Sequence, residues 1–454
     1  MKSNKLRLWL AKHPLKLSST QIIAIVFAVI ILVGAGLLTL PAASRNGESC
    51  SFADALFTAT SATCVTGLIP FDTGSNWTLF GHIVIIVMIE VGGLGFMSMA
   101  SMVILLLRRK VGLKQRLIMA QALGLNEMDS VVKLQKWVIG GSLSIQAVAA
   151  LVLFVRFIPM FGVGKAAWYG VFHSISAFCN AGFDIFGYGD SLMHFNTDPV
   201  VCITLMVLVA VGGLGFFVWE EVVRLHSWKK FSVYTKLVLL ASLILTVAGA
   251  AAICLLEWNN PATMGGMTPG EKILNGFFQS VTVRTAGFDA IGQGALTDGS
   301  KGVSMMLMLI GGSSGSTAGG LKTVTAVVLV LFLWARARGK SSVTVFKSTV
   351  ADDKVMDAMT IAGIMVCLAV FGAVFISATS PIGFADALYE AVSAIATVGL
   401  TTGVTGSLSL PAQLLITLYM YFGRVGILTI SLGFLMGDRA TERFKYAQTN
   451  LLIG

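Results

Sequence analysis

The sequence predicts an all-α integral membrane protein. Eight transmembrane helices plus four re-entrant pore helices form four span–pore-helix–span repeats around a pseudo-fourfold axis. Three observations predict this. Mean hydropathy is +0.84, and 12% of residues are charged, against about 25% in a soluble domain. Eight apolar runs are each long enough to cross a bilayer, which takes roughly 20 residues. Finally, a short glycine-centred segment recurs four times: Val65-Thr66-Gly67, Asn180-Ala181-Gly182, Thr285-Ala286-Gly287 and Thr397-Val398-Gly399. Its glycines stand 115, 105 and 112 residues apart.

The eight runs lie near 20–41, 79–107, 137–158, 200–223, 233–256, 303–334, 357–378 and 411–436. Lys2, Lys5, Arg7, Lys12 and Lys16 precede the first, whose apolar core is too long for a cleaved signal peptide, so it reads as a retained span. The repeats divide the chain into 1–110, 111–230, 231–340 and 341–454. Of the 32 Lys and Arg residues, 24 fall before the first span, in 108–136, 224–236 and 336–354, or after 438. These are alternate loops, so the positive-inside rule places both termini and these loops in the cytoplasm. The net charge of +10 is then the inner half of a membrane asymmetry, with anionic lipid as partner and no nucleic acid implied. The glycine segments face outward, among loops with an acidic excess that concentrates cations.

Shorter apolar stretches near 52–64, 167–178, 270–283 and 384–396 precede the glycine segments. They are too short to span. A helix that stops halfway leaves carbonyls unpaired, which is tolerated only where it faces protein or a water-filled cavity. Its negative dipole end favours a cation there. The strand behind it must turn its carbonyls toward an axis, and glycine adopts the backbone angles required. Four such strands in one chain could replace the hydration shell of an ion. Asp184 and Asp289 follow two of the strands. They gather cations or tie strand to pore helix, and the second reading is favoured.

The second span of each repeat carries small residues: Gly92-Gly93-Leu94-Gly95, Gly212-Gly213-Leu214-Gly215, the run 311–320, and Gly423-Arg424-Val425-Gly426. In the first two repeats close helix packing is the favoured reading. The third differs. Gly311, Gly312, Ser313, Ser314, Gly315, Ser316, Thr317, Gly319 and Gly320 make a poor helix, and a span broken at midplane is where binding or gating occurs. It reads as an irregular intramembrane gating loop, with Lys322 just beyond it snorkelling inward, bonding a carbonyl or acting as an anchor. Arg424 stands within an apolar run, where an ionisable residue is costly. It reads as an electrostatic barrier beside the loop, or as an ion pair with Glu90.

Gly311-Gly312-Ser313-Ser314-Gly315 formally matches a Gly-x-Ser-x-Gly nucleophile elbow. No histidine reads at the depth of Ser313, so a serine hydrolase is only a remote alternative and no enzyme is expected. The six cysteines show neither paired nor metal-ligand spacing. No cofactor and no metal beyond the transported ion is expected.

Together these residues resemble the Trk/Ktr/HKT superfamily of potassium transporters, over nearly the whole chain and most closely the bacterial KtrB-type ion-translocating subunit. The resemblance implies that Gly67, Gly182, Gly287 and Gly399 are filter glycines and that potassium is the substrate, since a serine at the first position is associated with sodium permeation. It implies that 311–320 is the gate and that Arg424 faces it. It also implies residence in the bacterial plasma (inner) membrane, sodium as a stimulating ion, a homodimer, and a KtrA-type cytosolic regulatory ring that binds adenine nucleotides. A symporter strictly coupled to sodium or protons is the alternative.

Overall fold

The computed structural model describes residues 19–95 and 131–426. The N-terminal basic cluster, residues 96–130 and the C-terminal tail lie outside the described residues, as do the ends of the runs 79–107 and 411–436. The described chain is mostly helical. Its helices are α1 (Ser19–Leu38), α2 (Phe52–Cys64), the single turn α3 (Thr73–Asn76), α4 (Leu79–Leu94), α5 (Val131–Phe178), α6 (Pro199–Gly213) and α7 (Phe216–Leu225). The second half adds α8 (Val233–Glu257), α9 (Pro269–Thr282), α10 (Asp298–Leu309), α11 (Thr323–Ala337), α12 (Asp352–Thr379), α13 (Phe384–Ile395) and α14 (Leu410–Val425). One departure from an all-α chain is a hairpin pairing Thr344–Val345 with Ser348–Thr349. Phe346 and Lys347 both adopt positive φ there, as a two-residue turn of this twist requires.

Among the described residues α1, α5, α8 and α12 are long and apolar enough to cross a membrane. Their outer faces expose apolar side chains such as Leu32 and Val33, Leu243 and Ile244, Phe371 and Val374. Within hydrocarbon such a face is stable, because the helix satisfies its own backbone. The short helices behave oppositely. From Phe57 to Cys64 every residue of α2 is buried, as is every residue of α13 from Tyr389 to Ile395. Their starts are specified locally. Ser51 Oγ accepts the Asp54 N–H at 3.2 Å, and α9 opens with a Thr268–Glu271 capping box and Pro269.

Four apolar runs that read as continuous spans are interrupted. Helices α4, α6 and α14 stop near Gly95 (φ 82°), Gly215 (φ 92°) and Gly426 (φ 95°), and α6 and α7 meet at 96°. The run 303–334 is split into α10 and α11 by residues 310–322. A left-handed glycine ends a helix without steric penalty. Close packing, the favoured reading for Gly92 and Gly212, also holds: a Cβ at either would overlap the carbonyl oxygen of Thr63 or Phe178. The run 137–158 extends the other way. α5 continues through Pro159 and a non-helical Gly162 (φ 74°) into the predicted second short helix.

The packing is cyclic. Each of α1, α5, α8 and α12 lies against the element that follows it, α2, α6, α9 and α13. Further along the ring, α4 packs on α5, α6 on α9, α10 on α13, and α14 returns to α2.

Candidate functional site

All four glycine segments meet. The direction in which a Cβ would project from Gly67 leads to Ala181 O at 2.6 Å, from Gly182 to Ala286 O at 2.7 Å, and from Gly287 to Val398 O at 2.5 Å. From Gly399 it leads to Thr66 O, which closes the circuit. Each glycine thus faces the carbonyl preceding the glycine of the next repeat, in chain order.

The backbone of each segment follows one pattern. Gly67, Gly182, Gly287 and Gly399 have φ of 102°, 69°, 81° and 94°. Two residues earlier, Val65, Asn180, Thr285 and Thr397 also have positive φ, at 57°, 59°, 71° and 52°. Three of these four are β-branched, for which left-handed backbone is a genuine outlier. Alternation of left-handed and ordinary residues turns successive carbonyls to one side. Strain of this kind persists only where the surroundings over-determine it. This is the feature that sequence reasoning missed, because Val and Thr carry no left-handed signal.

What over-determines it is the short helix behind each strand. The N–H groups of Thr66, Ala181 and Val398 donate to the carbonyls of Ser61, Ser176 and Ser393, each at 2.8 Å, and that of Ala286 to Thr282 O at 2.9 Å. In repeats one and four the serine hydroxyl also accepts the glycine N–H: Gly67 N to Ser61 Oγ at 3.0 Å and Gly399 N to Ser393 Oγ at 3.1 Å. In repeats two and three the hydroxyl donates past the glycine, from Ser176 to Phe183 O and from Thr282 to Phe288 O, both at 2.7 Å. Leaving a buried N–H unpaired costs about 1–3 kcal/mol. Ser61→Ala is therefore expected to lower the thermal midpoint of the purified protein in detergent by several degrees. Ser407→Ala, on an exposed turn, serves as the reference and should leave it unchanged.

The irregular segment lies against the strands. Thr317 Oγ1 donates to Phe178 O at 3.2 Å and to Asn180 Oδ1 at 3.4 Å, while Asn180 Nδ2 donates to Thr285 Oγ1 at 3.3 Å. A Cβ at Gly311 would sit 3.2 Å from Thr285 Cγ2, and one at Gly319 would overlap the Thr397 side chain. Strands two, three and four all touch the loop. The α6–α7 corner holds it from the other side: Ser313 N donates to Gly213 O at 2.9 Å, Thr317 N to Gly212 O at 3.2 Å and Phe216 N to Gly315 O at 2.9 Å. Ser316 Oγ caps Ser313 O at 2.6 Å, and Tyr234 Oη donates to Ser314 O at 3.1 Å. Gly312 O accepts Thr323 N at 3.1 Å. Gly320 lies near Ala396 O, and Lys322 Nζ donates to Ala318 O at 2.8 Å.

Arg424 joins two elements through one guanidinium. It donates to Thr317 O in the loop, and to Gly92 O and Gly93 O at the α4 break, the last at 3.0 Å. The pair with Glu90 does not form in this structure. Glu90 is taken by Gln146 Nε2 at 3.1 Å and Cys179 Sγ at 3.3 Å. Asp289 ties its own loop, accepting the N–H groups of Ile291, Gly292 and Gln293 at 2.9–3.1 Å. Asp184 is buried.

The chain matches the cation transport protein family TrkH over residues 3–442. It is 39% identical to the potassium/sodium uptake protein NtpJ of Enterococcus hirae, over 97% of this chain and 98% of that protein. It is 36% identical to the Ktr system potassium uptake protein B of Bacillus subtilis, over 93% and 94%. Its fold superposes on the potassium transporter TrkH of Vibrio parahaemolyticus with a TM-score of 0.73 at 18% identity, covering 94% of this chain and 86% of that one. These homologues and this fold are those of ion transporters rather than enzymes. The family match over residues 3–442 and the 39% identity across nearly the full length show that this chain belongs to the TrkH family of cation transport proteins.

Proposed function

We propose that this chain takes up potassium across the bacterial plasma membrane, through a filter of backbone carbonyls gated by an intramembrane loop. The observation that carries the reading is the closed circuit of glycines and carbonyls running from each repeat to the next. Residues 65–67, 180–182, 285–287 and 397–399 are the filter, whose oxygens replace the ion's hydration shell. The short helices α2, α9 and α13, with the end of α5, are the pore helices and aim their negative ends at it. Eight spans, four repeats over 1–110, 111–230, 231–340 and 341–454, and cytoplasmic termini complete the architecture. Cyclic helix packing supports it.

Residues 311–320, with Lys322 and Arg424, are the gate. Its support is the irregular backbone packed against three filter strands and tied by Arg424 to the α4 break. Potassium as the cargo is supported by relatives named for potassium or potassium and sodium uptake and by glycine at position 67. The homodimer, the cytosolic nucleotide-binding ring and sodium stimulation rest on likeness to the family. Basic cytoplasmic loops suit either the ring or anionic lipid.

The test is cation flux into liposomes carrying only the purified chain, beside Gly67→Ser. The expected result is potassium flux above sodium flux, driven by the potassium gradient alone and made less selective by the substitution. Flux that waits for a sodium or proton gradient would make the chain a coupled symporter. Indifference to Gly67→Ser would undo the filter assignment.

A further inference from the structure

Above the third filter strand lies a closed polar network outside both filter and gate. Its centre is Gln293, 1% exposed, with Gln279 and Tyr389 at 0%. Gln293 Oε1 accepts from Gln279 Nε2 at 2.6 Å and from Tyr389 Oη at 2.8 Å. Gln293 Nε2 donates to Gln279 Oε1 at 3.2 Å and to Asp289 Oδ1 at 2.7 Å. A glutamine has two donor hydrogens and two acceptor lone pairs, and here each has its partner. Satisfied networks in a low-dielectric interior are stiff and orientation-specific.

The network joins parts that the chain keeps apart. Gln279 is on α9, the helix behind strand three, and Tyr389 is on α13, the helix behind strand four. Asp289 follows Gly287 by two residues, and its backbone is held by repeat two: its N–H donates to Ser191 Oγ at 3.2 Å and its carbonyl accepts Leu192 N at 2.8 Å. α13 also carries Ser393, whose hydroxyl takes the Gly399 N–H. One side chain therefore couples the exit of strand three to the helix that positions strand four. Because the four strands differ in sequence, identity among repeats cannot set their carbonyls at equal distances. Contacts from outside must do so.

We propose that Gln293, with Tyr389, Gln279 and Asp289, positions the outer end of the third filter strand and so sets potassium over sodium discrimination. This rests on the filter reading above. None of these side chains touches the ion; they act through the Gly287 strand. The hydroxyl of Tyr389 is the point to remove, since Tyr389→Phe keeps the ring and leaves Gln293 its amide partner.

The experiment measures potassium and sodium flux, each normalised to protein incorporated, in liposomes carrying the full chain. The wild type is compared with Tyr389→Phe, Gln293→Leu and Gly67→Ser. The expected result is a fall in the potassium-to-sodium ratio of about three- to tenfold for Tyr389→Phe, the range one net hydrogen bond controls, with a larger fall for Gln293→Leu. A ratio unchanged in both variants overturns the proposal. So does an equal loss of both fluxes with poor incorporation, the mark of a merely structural role. If Gly67→Ser shifts the ratio and Tyr389→Phe does not, the brace alone fails. If neither shifts it, the filter reading fails and the brace with it.

Discussion

Gly399→Ala is expected to reduce cation flux by at least about a hundredfold, while Gly403→Ala leaves most of it. Both glycines have φ of 94°, so an alanine at either meets the same backbone strain, roughly 1–2 kcal/mol. Their surroundings differ. A Cβ at Gly403 meets nothing within 4 Å, whereas one at Gly399 overlaps Thr66 O and lies 2.8 Å from Gly67 Cα. The atoms it meets are backbone of the next strand, and that strand is itself held by Ser61. It cannot give way without moving the carbonyls that line the circuit. Flux with surface abundance measured in parallel decides the matter. Equal losses in the two variants would mean that left-handed strain, not the closeness of the ring, accounts for the glycine.

Removing residues 313–317 is expected to raise potassium flux about tenfold or more and to weaken its dependence on any regulator. Arg424→Ala should do the same in part. The loop is tied by hydrogen bonds to the α6–α7 corner and, through Thr317, to Asn180 and Arg424. Each bond to a charged donor is worth about 1.5–3 kcal/mol. If the loop gates as proposed, losing the guanidinium that spans the loop and the α4 break is expected to shift the closed–open equilibrium by about one to two orders of magnitude. Arg424→Lys should restore little, because an ammonium is a compact point charge and lacks the planar fork that reaches Thr317 O and Gly93 O together. Unchanged flux after the loop deletion would remove 311–320 as the gate.

How much of this is legible in the sequence differs from element to element. The four glycine segments declare themselves because the constraint is local: a strand turning its carbonyls one way beside a neighbour's backbone needs glycine, and the need repeats with each unit. The run 311–320 is legible for a similar reason, since no helix tolerates so many glycines and serines. Arg424 announces itself by cost alone. Its partners do not. Glu90 is the obvious counter-charge by sequence, yet Gln146 and Cys179 take that carboxylate, and the guanidinium turns to carbonyls freed where α4 ends.

The same holds for the breaks at Gly95, Gly215 and Gly426. Each sits in an apolar run that hydropathy reads as continuous, and the end of the helix shows only in the positive φ that the glycine adopts in the folded chain. The left-handed Val65, Thr285 and Thr397 are unreadable locally, because their own propensities argue for the opposite.

The sequence by itself determined the membrane class, the recurrence of a glycine segment at near-constant spacing and where those segments fall. All of these follow from composition, length and backbone freedom within a few residues. Tertiary structure alone decided how the strands close on one another, what Arg424 bonds, and that Gln293 links α9 to α13. Those contacts join residues about a hundred positions apart in some cases and more than three hundred in others. Geometry there is set by which helix faces meet, and no local pattern of residues records it.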